Sequence, residues 1–370
     1  MKTKELSTPN FILNLDVLEN NIKTVQELSD KNKKELWPMT KTHKSSAIAK
    51  MQIKYGAKGL LVGTVDEAES FIKAGVKEIT FPYPIANPVD IKRVIDLTKR
   101  GRVILSFDNV ESAKIWNEML VEVDSTLEYF ILINSGLNRL GVLPEDCVWL
   151  AKKLSEFKNL KLIGISTHPG HVYGITSGSG VAEISRQEIA TMSTAKNLLV
   201  ENGFEVDVVA SGSTPTFFDV VDDEALDVLR PGNYVFYDNI QLSLDVCKEE
   251  DCSLTALGTI ISRPSENLFI VDVGSKCLGL DKGAHGSALI TGFGRVKGHN
   301  ELSVIGLSEE VGKIQIEGDT DLSIGDKIEI IPNHSCSCLN MTSYVVGYRG
   351  DEVSEIIDID VRGNSKKPVI

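Results

Sequence analysis

Residues 37–44 read WPMTKTHK, an apolar run that ends in two lysines with Thr42 and His43 between them. The stretch holds no glycine. A doubly wound sheet usually announces itself by a Gly-rich dinucleotide turn after its first strand, so this ending speaks against that architecture. Seven further short runs follow at regular intervals: Gly59–Thr64, Glu78–Pro84, Arg102–Asp108, Glu128–Ser135, Lys161–His168, Glu205–Ser211 and Val228–Tyr237. They are rich in β-branched residues and read as unbroken apolar segments, the pattern of strands buried on both faces. Helix-length amphipathic segments separate them. In VDEAESFIKAG, Val65, Ala68, Phe71 and Ile72 recur at helical spacing and Gly75 marks the stop. QEIATMSTAKNLLVENG stops in the same way at Gly203. Eight strand–helix units predict a (β/α)8 TIM-type barrel over residues 16–242.

After about Leu242 the texture changes. Runs such as LTALGTIISRP, NLFIVDVG and DKIEIIP alternate with Gly, Asp and Asn turns, which predicts a mainly antiparallel β domain over 243–370. Residues 1–15, with a strand near Asn10–Asp16, are grouped with it, although that strand could join either part.

Composition narrows the function classes. The net charge of −13 disfavours nucleic acid and anionic membranes, both of which need a basic face. No apolar run approaches the ~20 residues of a membrane span. The opening MKTKELSTPN has no apolar core of a secretory signal, so a cytoplasmic location is expected. Six cysteines in 370 residues are too sparse for a disulfide scaffold and read as reduced thiols.

In a parallel barrel the carboxyl ends of the strands face the active site. Lys41 ends the first strand, Arg139 follows the fifth, and His168, His171 and Tyr173 follow the sixth. Ser211–Phe217 (SGSTPTF) follows the seventh, and Arg230, Asn233, Tyr234 and Tyr237 follow the eighth. The small residues of SGSTPTF let backbone N–H groups approach an anion, and barrels commonly hold phosphate at this position. A lysine beside it, partly desolvated, is a nucleophile toward carbonyls. Lysine and phosphate loop together suggest pyridoxal phosphate; a phosphosugar lyase with a Schiff-base lysine fits the same two features. Lys44, at the start of the next helix, reads as solvated or as a supporting residue behind the site. In IPNHSCSC, His334, Cys336 and Cys338 alternate, so an extended strand would point all three to one side. Imidazole and thiolate suit zinc, whereas a buried strand end with inert thiols is the plain alternative.

Taken in order, TPNFILNLDVLENNI, KTHK, GTVDEAE, NRLGV, HPGHVYG, GSTPT, RPGNYVFYD, ISRP, VDVGSK, LSEE and PNHSC resemble the fold-type III pyridoxal-phosphate enzymes. The specific likeness is to the D-threonine aldolase and eukaryotic-type D-serine dehydratase group. It implies an alanine-racemase-like barrel plus a β domain, assembled as a homodimer with the site at the subunit interface. It further implies Lys41 as the Schiff-base residue, Arg139 on the cofactor ring's phenolic oxygen, and His168 and Tyr173 lining the ring. Gly212, Ser213 and Thr214, with Tyr237, fall on the phosphate side. His334 and Cys336 match the metal pair, expected to hold zinc, with manganese or magnesium as alternatives. The expected activity is that of a lyase on a D-3-hydroxy amino acid, dehydratase-like, with retro-aldol cleavage or racemisation as alternatives. The chain departs from the group at Met39 and Val311, where histidine is common, and at Asn134, where aspartate is usual.

Overall fold

The computed structural model describes residues 1–175, 180–282 and 289–363. Its first sheet is parallel; seven of its eight strands fall on expected runs, and the other, Glu35–Leu36, lies just ahead of the run that opens at Trp37. The strands are β2 (Glu35–Leu36), β3 (Leu60–Leu61), β4 (Glu78–Thr80), β5 (Arg102–Phe107), β6 (Leu127–Leu132), β7 (Leu160–Ser166), β8 (Val208–Ser211) and β9 (Val228–Leu229). Their spatial order is β2-β9-β8-β7-β6-β5-β4-β3. Several are shorter than their apolar runs, because the chain leaves the ladder early to form the site. The two edges meet at a single bridge, Met39–Leu61, flanked by Leu61 N→Pro38 O at 2.9 Å and Lys58 N→Leu36 O at 3.1 Å. The domain is therefore α/β and barrel-like, and between β2 and β3 it has a seam where a regular closed barrel would carry a ladder.

The connecting helices start and stop where local chemistry dictates. Helix α3 (Val65–Lys73) is capped by Thr64, whose hydroxyl accepts from Glu67 N at 3.1 Å, and it ends before Gly75 at φ +104°. Val65, Ala68, Phe71 and Ile72 face the core, as their spacing requires. Helix α4 (Pro88–Leu97) combines an Asn87 cap with proline in its first turn. Inside the sheet, Trp37, Ile104, Phe130, Ile163, Ala210 and Val228 form a compact apolar cluster. This cluster is the floor beneath the strand ends, and the Arg230 guanidinium lies 5.9 Å from the Phe130 ring on it.

The second sheet holds β1 (Asn10–Asn14) together with β10 (Leu254–Ser265), β11 (Leu268–Val271), β12 (Arg295–Val296), β13 (Leu302–Leu307), β14 (Gly312–Ile316), β15 (Lys327–Ile331), β16 (Tyr344–Arg349) and β17 (Glu352–Asp358). The ring β10-β11-β14-β13-β12-β15, returning to β10, closes an antiparallel barrel. Strand β1 joins this sheet, pairing antiparallel with β10 and parallel with β16. None of the six cysteines is disulfide-bonded. Among the described residues no helix is long and apolar enough to cross a membrane.

Two turns fasten the domains together. Asn239 N donates to Pro332 O at 3.0 Å, and the Asn239 side-chain amide donates to Asn333 Oδ1 at 2.8 Å. Asp238 is wholly buried. Its Oδ2 accepts from Asn233 Nδ2 (2.7 Å), Ser335 N (3.0 Å) and Ser335 Oγ (3.2 Å), while Oδ1 accepts from Gln241 N (3.2 Å).

Candidate active site

A cavity of about 540 Å3 opens at the carboxyl ends of the parallel strands and is closed on one side by the second domain. Lys41, Arg139, His168, Tyr173, Gly212, Ser213, Thr214, His334 and Cys336 all line it. Tyr237 does not. It is buried at φ +50°, next to Cys247 and Asp251, and burial pushes its phenol up. The tyrosine expected on the phosphate side is thus a core residue.

Lys41 lies in the 3-10 turn Thr40–Thr42, with Met39 just before the turn. The chain has already left the strand here, so Met39 and Lys41 do not share a strand face as alternation would have had it. Lys41 is exposed to the cavity, and protein burial does not supply the expected desolvation. Its turn is held from behind. Thr40 Oγ1 lies 3.0 Å from both Leu61 O and Glu67 Oε2, and Gly63 N donates to Glu67 Oε2 at 2.8 Å. Burial raises the Glu67 carboxyl, although Gly63 N–H and the Lys44 charge oppose the shift. Lys44, expected in solvent or supporting the site, is the latter: it is 7% exposed, lines the cavity and sits 3.6 Å from Glu67 Oε1.

His43 points away from the cavity. Ser45 N donates to its Nδ1 at 3.1 Å, so Nε2 carries the proton and donates to Gln52 Oε1 at 3.2 Å. Gln52 Nε2 passes the chain to the Tyr234 hydroxyl at 3.0 Å, and Tyr234 N donates to Thr214 Oγ1 at 3.2 Å. One buried relay therefore ties the lysine turn to the loop after β8. Burial lowers the His43 pKa to about 4.

On the opposite side of that loop, Gly212 O accepts from His168 Nδ1 at 3.2 Å. Burial, then the Lys41 charge, lowers the His168 pKa to about 3, so the ring is neutral with Nε2 as its acceptor. Gly212 sits at φ +129°, where a Cβ would lie 3.0 Å from Arg230 N. Ser213 Oγ and Thr216 Oγ1 are 3.1 Å apart. Arg230 is 5% exposed and lines the cavity. Its Nη2 reaches Thr167 O, whereas Nε and Nη1 have no partner within the protein. Burial lowers its pKa to about 10, while Glu188 opposes that shift. Both atoms are buried on a residue that lines the cavity, and the positive charge they carry favours an anionic group bound beside them. With Lys41 and the small-residue loop beside them, the donor set fits pyridoxal phosphate. Arg139 lies exposed at the mouth, on the turn that Asn134 organises by accepting from Gly136 N (3.0 Å) and Asn138 N (3.1 Å).

The second domain brings the remaining chemistry. His334 is not on an extended strand; it caps the short helix Ser335–Leu339, which turns Cys336 into the cavity and Cys338 out of it. Cys338 Sγ lies 3.2 Å from Leu278 O and is buried, which removes it as a third ligand. Cys336 Sγ lies 3.3 Å from Thr42 Oγ1, one residue beyond Lys41. Burial would raise this thiol, but His334 first, then Lys41 and Thr42, bring it below its ordinary value. Imidazole and thiolate side by side form a donor pair that fits a divalent metal of zinc's type. Val311 receives none of this chemistry. Its carbonyl accepts from Ser308 N at 2.9 Å in the turn between β13 and β14, outside the cavity lining.

Residues 13–239 match the family model described as alanine racemase, N-terminal domain, and residues 253–348 match the putative serine dehydratase domain. The chain belongs to the fold-type III pyridoxal-phosphate enzymes. It is 30% identical over 366 residues to a D-serine dehydratase of Dictyostelium discoideum, covering 91% of this chain and 92% of that one. It is 24% identical to a D-threonine aldolase of Arthrobacter sp, covering 98% and 94%. The solved D-threo-3-hydroxyaspartate dehydratase from Delftia sp. HT23 superposes with a TM-score of 0.91 at 26% identity, covering 98% and 99%. That enzyme has also been solved with alanine in place of a histidine, and with alanine in place of a cysteine two positions further on, the latter in a metal-free form. His334 and Cys336 have the same spacing.

Glu67, Asp238, Asp281 and Gln241 contribute to the site without having been singled out in the sequence. Glu67 reads as the acidic partner of a Thr64 cap, and nothing in the helix pattern signals that it is fully buried. Arg230 was placed at the right rim, but its unpaired donors became visible only with the cavity.

Proposed function

We propose that this protein is a pyridoxal-phosphate-dependent, metal-assisted lyase that converts a D-3-hydroxy amino acid to a keto acid and ammonia. The observation that carries this reading is the convergence of Lys41 and the His334–Cys336 pair in one cavity, with Cys336 Sγ 3.3 Å from the residue after Lys41. An α-proton and a β-hydroxyl sit on adjacent carbons, so a base and a Lewis-acid site must lie this close to act on one substrate.

Lys41 would hold the cofactor, with Gly212, Ser213 and Thr214 on its phosphate side, Arg230 on the floor, and His168 and Tyr173 beside the ring. Bound pyridoxal phosphate supplies an electron sink for the bond broken at the substrate's α-carbon. Lys41 would take the α-proton. His334 and Cys336 would hold a divalent metal, zinc matching the donors best, whose Lewis acidity favours departure of the β-hydroxyl. His168, kept neutral, leaves the cationic charge on this side of the cavity to Lys41, Lys44 and the two arginines.

Retro-aldol cleavage to glycine and an aldehyde is the second reading, supported by the likeness to a D-threonine aldolase over 98% of this chain. A product screen separates the two. Reconstituted protein is incubated with D-serine, D-threonine and D-3-hydroxyaspartate, and keto acid, ammonia, glycine and aldehyde are measured. Keto acid with ammonia is expected. Glycine with aldehyde would favour the aldolase, and inverted amino acid alone would sink both. Borohydride reduction should fix the cofactor on Lys41 and not on Lys44. Light scattering tests the homodimer that the family resemblance implies.

A further inference from the structure

We infer that Asp281 is a positioning residue for the metal pair, fixing the orientation and tautomer of His334. The inference rests on the reading that His334 and Cys336 hold a metal.

Asp281 comes from a segment 53 residues away in sequence, so its contact with His334 is built by the fold and not by local chain geometry. Its Oδ2 lies 3.0 Å from His334 Nδ1 and 2.7 Å from Ser337 Oγ. An ionised carboxylate only accepts, so both partners must donate, and the ring proton resides on Nδ1. In the neutral ring that a metal requires, Nε2 is then the lone-pair nitrogen, on the side away from Asp281. A metal-bound imidazole commonly has its second nitrogen engaged in this way, which locks the ring and raises its basicity as a ligand.

The segment that carries the carboxylate is itself anchored. Asn333 Nδ2 reaches Asp281 O at 3.4 Å and Gly292 O at 3.0 Å, so the residue before His334 grips the segment carrying Asp281. Ser337 completes the frame from one turn after His334, since its Oγ lies 3.2 Å from His334 O as well. Asp281 is not a third ligand in this arrangement. The oxygen nearest the pair already receives two donors, and among the described residues no three His, Cys, Asp or Glu side chains cluster to hold an ion.

The test titrates Zn2+ into chelator-stripped holoenzyme against a chromophoric competitor and compares wild type with Asp281→Ala, Asp281→Asn and His334→Ala. Asp281→Ala should weaken zinc binding by about 10- to 100-fold. Asp281→Asn keeps a carbonyl that accepts from Nδ1–H and should lose less. His334→Ala should lose high-affinity zinc altogether. Metal-free Asp281→Ala should melt close to metal-free wild type, because the Asp281 side chain is 34% exposed. If Asp281→Ala binds zinc like wild type while His334→Ala does not, the positioning role is wrong and the metal site stands. If His334→Ala binds zinc like wild type, the metal site falls and the inference with it. Equal losses in both Asp281 variants, with a lowered metal-free melting temperature, would make the contact structural and overturn the proposal.

Discussion

A Cβ built on Gly63 would lie 2.9 Å from Lys41 Cβ and 3.0 Å from Glu67 Oε1. Lys41 Cβ is tied to the main chain, so it cannot swing aside as the end of a flexible side chain could. Gly63 is thus the residue that allows the Lys41 turn to pack against the next strand end. We expect Gly63→Ala to displace the turn and lower kcat by roughly 100-fold, the usual cost of an ~1 Å misplacement of a reacting group. Wild-type turnover in this variant would show that the turn tolerates the shift. None of this was legible in the sequence. GTVDEAE reads as a helix start, and only the fold brings Gly63 and Glu67 against Lys41. The lysine itself was legible, because an ammonium group at the end of an apolar run is conspicuous.

At the scale of elements, the eight apolar runs and the two glycine stops were readable because burial on both faces and helical periodicity leave strong local patterns. The HxCxC segment was misread because alternation fits a strand, while a cap at His334 and a short helix are chosen by contacts with the other domain. Asp238 makes that choice. It joins the loop after β9 to the turn that carries His334 and Cys336, and it accepts from three residues in full burial. Asp238→Ala would leave Ser335 N, Gln241 N and the Asn233 amide without acceptors. We expect a loss of ~3 kcal/mol or more in urea unfolding of the cofactor-free protein. A loss below about 1 kcal/mol would mean that the domains are fastened elsewhere.

For the whole molecule, two buried neutral imidazoles set an acid limit. His43 and His168 titrate near pH 4 and 3 in the folded chain, against about 6.5 when unfolded. Below about pH 6.5 the unfolded state binds more protons, so this stabilisation is lost as pH falls toward the folded values. Glu188, raised to about 7 by burial, works the other way: its stabilisation is present at low pH and lost as pH rises through 7. His43→Gln isolates one contribution. Its destabilisation relative to wild type should shrink by up to ~3 kcal/mol between pH 7 and pH 4.5, read from urea midpoints of cofactor-free protein. A gap that does not change with pH would mean that His43 is not held neutral.

The parallel sheet is laddered all the way round except at the seam between β2 and β3, and the lysine turn hangs from one lip of that seam. In kinetic terms, the cheapest local opening of the first domain should run along it, because few inter-strand bonds must break there. Backbone amides at 39–44 and 61–64 should then exchange with deuterium sooner than those of β6 and β7 in cofactor-free protein, and slow when pyridoxal phosphate is loaded. Equal exchange rates at the seam and in the central strands would contradict this. Slowing at the seam on loading would make cofactor capture the missing rung of the sheet, coupling occupancy of the site to the lifetime of the closed fold.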